Sequence, residues 1–147
     1  MKKLLIIPML FASCIAIGRA KTDYNKPTLN KNTLQRLLDT ANIIGKPIKF
    51  GNLEVAQYNF PHKMNWDAAK KACRALGKGW RLPTKQELNL LYQNMNAIGG
   101  FASNYYWSST EDEDNNFNAW CQRFDNGDQD VTSTSFSTIY VRAIRDF

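Results

Sequence analysis

The sequence predicts an α+β domain in which helices come first and antiparallel strands follow. Apolar residues recur at helical spacing in three stretches before Gly99-Gly100, and aromatic or β-branched runs bounded by Gly, Asn and Asp follow it. A length of 147 residues with 44% apolar side chains fits one packed core and is too short for two.

The chain opens with Lys2 and Lys3, an apolar run from Leu4 to Ile17 broken by Pro8, and then Gly18-Arg19-Ala20. Residues 1–20 therefore read as a secretion signal with a mature start at Lys21. A second reading takes Phe11-Ala12-Ser13-Cys14 as a lipoprotein cleavage site, which would leave Cys14 lipidated on a membrane anchor. Either way the run is shorter than the ~20 residues a bilayer span requires. Both readings place the protein outside the cytoplasm, in the periplasm, at the cell surface or secreted.

Residues 21–58 read as a linker carrying a short amphipathic helix and a leading strand. Residues 21–32 are polar. Leu34, Leu37, Leu38, Ala41 and Ile44 then recur at helical spacing over 33–44, with Asn32 or Thr33 as cap and Gly45 with Pro47 as stop. Ile48 to Tyr58 alternates loosely, as one or two strands around Gly51-Asn52.

The second helix starts at Asn65 and places Trp66, Ala69, Cys73 and Leu76 on one stripe before Gly77. The third opens on Thr84-Lys85-Gln86-Glu87, a capping box, behind the extended Pro83, and Leu88, Leu91, Tyr92 and Met95 line its inner face. Strand candidates are Tyr105 to Ser108, Ala119 to Phe124, Gln129 to Ser133 and Tyr140 to Arg145. Asn126-Gly127 predicts a hairpin with a type I′ turn between the second and third of these.

Charge excludes one function class. The formal net charge is +6, but removing residues 1–20 takes away three basic side chains and no acidic one, leaving 16 against 13 and a net of +3. Residues 21–100 hold 13 basic and 5 acidic side chains, whereas residues 101–147 hold 3 and 8. The cations are scattered at ordinary solvated spacing, so no nucleic-acid partner is expected.

The ordered motifs go further than periodicity. Asn65-Trp66-Asp67-Ala68-Ala69 with Cys73, Gly79-Trp80-Arg81-Leu82-Pro83-Thr84 with Glu87-Leu88, Tyr106-Trp107-Ser108-Ser109-Thr110, Ala119-Trp120, and Tyr140-Val141-Arg142 follow one another. In that order they resemble the bacterial family named for the C-terminal domain of the Legionella collagen-like adhesin. The resemblance covers residues 59–147 and implies a C-type-lectin-like domain, two helices packed on twisted antiparallel sheets, here preceded by the short N-terminal helix. It also implies a cysteine on the first domain helix paired with one in the last strand. Cys73 holds the helix position, but the last strand reads Val141-Arg142-Ala143-Ile144-Arg145. Either Cys73 is a free buried thiol or Cys121 has become its disulfide partner.

Candidate ligand contacts lie in two oxygen-rich clusters: Glu111, Asp112, Glu113, Asp114, Asn115 and Asn116, and then Asp125, Asn126, Asp128 and Asp130. Such loops suit calcium, although neither follows the EF-hand order and solvated loop charge is the default reading of both. No triplet of the kind sugar-binding C-type lectins use with calcium occurs, and no resident cofactor or metal site is expected. Trp107 and Trp120 read as core or inter-sheet aromatics before they read as a sugar platform. His62 is the only histidine, and there is no phosphate loop, nucleophile elbow or metal-binding His pair, so no enzyme is expected. The resemblance implies a non-catalytic binding module for a glycan or protein, contacting it through loops 108–119 and 125–130. The alternative is a structural component of an envelope or surface complex, docking through the N-terminal helix. A membrane enters only through the lipid on Cys14.

Overall fold

A computed structural model describes residues 30–136 and 138–147. The signal segment, Cys14 and the first part of the linker lie outside the described residues. Helix α1 (Lys31–Ile44) leads into strands β1 (Ile48–Phe50) and β2 (Leu53–Val55), then helices α2 (Trp66–Ala75), α3 (Lys85–Gln93) and the short α4 (Met95–Ile98). Strands β3 (Tyr105–Glu111), β4 (Asn118–Arg123), β5 (Gln129–Ser133) and β6 (Ile144–Asp146) complete the chain. Two three-stranded antiparallel sheets result, ordered β1-β2-β6 and β3-β4-β5.

Helix starts follow side-chain chemistry. Asn65 caps α2 by accepting from the Ala68 amide at 2.9 Å. At α3 the capping box is complete: Thr84 Oγ1 accepts from the Glu87 amide at 3.2 Å and Glu87 Oε2 from the Thr84 amide at 2.8 Å. α1 begins earlier than its apolar spacing suggests. Asn30 is the cap, accepting from both the amide and the hydroxyl of Thr33. α3 stops at Asn94, so Met95 belongs to α4 and packs only partly into the core.

The core has two lobes. In the first, the α2 stripe of Trp66, Ala69, Cys73 and Leu76 meets Trp80, Trp107, Ala119, Cys121 and Val141. In the second, Leu88 and Leu91 of α3 meet Val55, Tyr106, Phe124 and Ile144. Successive strand residues face opposite ways, so Tyr106 serves one lobe and Trp107 the other, and β3 is buried on both faces.

The expected final strand over 140–145 is regular only at 144–146. The preceding residues bond to a different neighbour at each step: Val141 O accepts from Phe60, Tyr140 O from Trp107 and Ala143 O from Ala56. This segment stitches the two sheets together and so cannot pair along a single strand.

The β4–β5 hairpin forms, but not through a two-residue type I′ turn. The Gly127 amide donates to Arg123 O and the Arg123 amide to Asp128 O, closing a four-residue loop. Only Gly127 takes a positive φ, whereas a type I′ turn needs one at both central residues. Phe124 is the reason: its side chain is buried and its amide donates to Asn104 O, which holds it in the sheet and opens the turn. A Cβ at Gly127 would collide with the Tyr92 ring, so glycine is required there for space as well as for φ.

Both cysteines of the described chain are free thiols, each inside the first core lobe. Burial pushes Cys73 up to about 12, and burial with the nearby Asp130 pushes Cys121 up to about 12.

Candidate binding site

The acidic cluster 111–116 closes the β3–β4 hairpin. Ser108 and Ala119, at the ends of the expected contact loop, are buried in the sheet, so the free loop is 112–117. It is shaped by its own side chains. Asn115 Oδ1 accepts from the Phe117 amide at 3.0 Å, and the Asn118 amide donates to Asn115 O. That turn leaves Phe117 at the tip with 75% of its surface exposed.

The loop overhangs the start of α3, and between them lies an open groove of about 330 Å³. One wall is Asp112, Glu113 and Asp114; the other is Lys85 and Gln86, with Thr110 and Trp120 between. Thr110 Oγ1 accepts from the Lys85 amide at 2.9 Å, and Gln129 Nε2 donates to Lys85 O at 3.0 Å, so two strands fix the first turn of the helix. The Lys85 ammonium stands 2.9 Å from the centroid of the Trp120 ring.

Trp120 lies outside both core lobes. Its neighbours Ala119 and Cys121 point into the first lobe, so Trp120 points to the opposite face of β4. There α3 covers Gln122, which donates to Asn89 Oδ1 at 2.9 Å, and leaves Trp120 half-buried at the groove. Trp107 behaves as expected: it is fully buried and donates Nε1 to Met64 O at 2.9 Å.

The second acidic cluster does not join this site. Loops 112–117 and 124–127 hang from opposite ends of the six-residue β4, about 20 Å apart at strand rise. Asp125 is paired with Arg123 at 2.7 Å, and Asp128 accepts from Asn126. Asp130 lies on β5 opposite Cys121, beside a separate hollow of about 250 Å³. Glu111 ends β3 and Asn115 and Asn116 lie in the first loop, but none of the three lines the groove. Among the described residues no three His, Cys, Asp or Glu side chains gather around a common point, and seven or so converging oxygens would be needed for calcium.

Lys85 and Gln86 escaped the sequence reading because they are brought to the loop only by folding, whereas Thr110 lies within the expected contact loop 108–119. The available signal was the strand alternation at 119–121, which sets Trp120 apart from its two buried neighbours.

The groove rests on a rigid base. Arg81 grips Glu87 through two bonds of 2.7 and 2.8 Å and reaches Asp146 at 3.1 Å, tying α3 to the last strand. This bidentate contact holds the Glu87 carboxyl down at about 2, with the Thr84 amide adding to it against partial burial, and raises Arg81 above its usual value. The Trp-Arg-Leu-Pro-Thr stretch is therefore structural. His62 is exposed and shares a hollow of about 500 Å³ with Asp39, Asn42 and Asn59.

Comparison with known proteins agrees with this geometry. Residues 39–145 match the family described as the Lcl C-terminal domain. No curated protein matches. Among solved structures, botrocetin, a C-type-lectin-like protein, aligns with a TM-score of 0.53 at 12% identity over 69% of this chain and 96% of that one. A complex of a von Willebrand factor A1 domain with botrocetin aligns at 0.47 and 12% identity, over 70% and 98%. Given a family match across most of the chain and a lectin-like arrangement of two sheets and two packed helices, the chain belongs to the Lcl C-terminal domain family.

Proposed function

We propose that this chain is an exported, non-catalytic binding module that takes a glycan or protein ligand in the groove between loop 112–117 and the start of α3. The observation that carries this is Trp120, a tryptophan kept out of the core and walled by three carboxylates, an ammonium, an amide and a hydroxyl. An aromatic face ringed by a few polar groups is the usual composition of a recognition site. Recognition through a loop on a clamped scaffold separates binding from stability. None of Glu111, Asp112, Glu113 or Asp114 has an ion-pair partner among the described residues. The rim therefore repels polyanions and favours neutral or cationic ligands.

Screening the wild-type protein and the Trp120→Ala variant on glycan and peptide arrays tests the reading. A ligand held by the wild type and released by a folded Trp120→Ala supports it; no ligand on either array counts against it.

The second reading, assembly through the N-terminal helix, is favoured by one observation: three leucines of α1 face solvent.

A further inference from the structure

α1 is turned the wrong way round for a helix that packs on its own domain. Leu34, Leu37, Leu38 and Ala41 fall within a sector of about 100° on the helical wheel, and that sector faces outward. Leu34, Leu37 and Leu38 are 46%, 54% and 58% exposed. Ile43, on the opposite side, is the helix's one buried residue, and of the apolar stripe only Ile44, at the last turn, packs partly against the core. The body holds α1 by its end alone: Gln57 and Tyr58 amides donate to Ile44 and Ile43 carbonyls, and Gln57 Oε1 accepts from the Lys46 amide. Hollows flank the helix on the body side, one beside Ile43 and Asn59 and one where Thr33, Arg36, Leu37 and Thr40 stand opposite Ala75 of α2, so Leu37 borders the body along one edge of the stripe. A lone helix of 14 residues is marginal in water without a partner for its apolar face.

Charge and area say what that partner is. Lys31, Arg36, Lys46 and Lys49 are all exposed, and none has a carboxylate partner among the described residues; Arg36 lies on the side of the helix away from the leucines, whereas Lys31, Lys46 and Lys49 flank its two ends. Asp39 is the only acid between residues 30 and 49, and it accepts a bond from Gln35. The three leucines offer roughly 300 Å² of apolar surface, well under the ~800 Å² per partner of a stable protein interface. A bilayer sets no such minimum, because shallow insertion of one leucine stripe beside unpaired cations is how interfacial helices bind. We infer that α1 is an interfacial helix that lays Leu34, Leu37, Leu38 and Ala41 into the headgroup boundary of an anionic lipid bilayer. The inference rests on the reading of α1 as a docking element and names its partner. It is independent of the Trp120 groove. It needs no lipid on Cys14, since the attraction comes from α1 itself.

The test is amide hydrogen exchange on the mature protein recovered from a bacterium expressing the full chain, with its N-terminus read by mass spectrometry. Exchange across residues 31–44 is measured alone, with phosphatidylcholine vesicles, and with vesicles that also contain phosphatidylglycerol. The inference predicts slowed exchange in α1 on the anionic vesicles, less on the neutral ones, and relief by salt. The Leu37→Ser, Leu38→Ser double variant, with an unchanged melting midpoint, should lower vesicle partitioning by at least about tenfold. Unchanged exchange on both vesicles overturns the inference. So does protection that appears without lipid and grows with protein concentration, which would mean a second copy. Protection that requires delipidated envelope protein also overturns it, while leaving α1 as a docking element.

Discussion

Glu87 does two jobs with one carboxylate: it closes the capping box of α3 and receives the Arg81 fork. Its pKa is depressed in the fold, so its stabilising effect is complete above the usual carboxylate range, near 4.5, and is lost as pH falls toward about 2. Glu87→Gln should therefore melt lower than the wild type at pH 7, with the gap closing between pH 4.5 and 2. A gap that stays constant across that window would assign the loss to packing. Thr84→Ala removes the other half of the box and should cost about 1 kcal/mol in a denaturant titration. Cys73 and Cys121 make a separate prediction. Both thiols are raised to about 12, so both should resist alkylation in the native state and react once unfolded. Non-reducing intact mass should show two free thiols, and a loss of two hydrogens would mean that the pair bridges after all.

At the scale of elements, α1 and α2 carry equally regular apolar stripes and differ in what those stripes meet. For α2 the stripe reads directly as core, because Trp66, Ala69, Cys73 and Leu76 are all buried. For α1 periodicity identifies the apolar face but cannot say that it looks away from the body, since that depends on how Gln57 and Tyr58 catch its last turn. Substitutions should expose the difference. Leu37→Ser should move stability by no more than about 0.5 kcal/mol, whereas Ile43→Ala should cost about 2 kcal/mol or more. The candidate site divides in the same way. The oxygen-rich loop at 111–116 is legible from composition, and so is the hairpin at 125–130. That they hang from opposite ends of β4 is a matter of topology, and that Lys85 and Thr110 complete the groove is a matter of contacts made far apart in sequence.

Across the whole molecule, Arg142 holds the parts together. It is 1% exposed, donates to Gln57 O at 2.8 Å and to Gly99 O, and lies over the Phe101 ring. One side chain of the stitching segment thus ties the end of the β1–β2 hairpin to the end of α4. The match to the lectin-like family was visible in the ordered motifs, Val141-Arg142 among them, but the clamp itself is a property of the packed chain. Arg142→Lys offers a single ammonium where the fork reaches two carbonyls, and should lower stability by about 2 kcal/mol without altering the Trp120 groove. This separation of a clamped scaffold from an exposed recognition site is the central claim. The measurement that tests it most directly compares ligand affinity and melting midpoint in the wild type and in Trp120→Ala. The account predicts that affinity for the array-selected ligand falls at least about tenfold while the midpoint stays put, because loss of one aromatic anchor costs upward of 1.4 kcal/mol in binding. Undiminished affinity in a folded Trp120→Ala would contradict it.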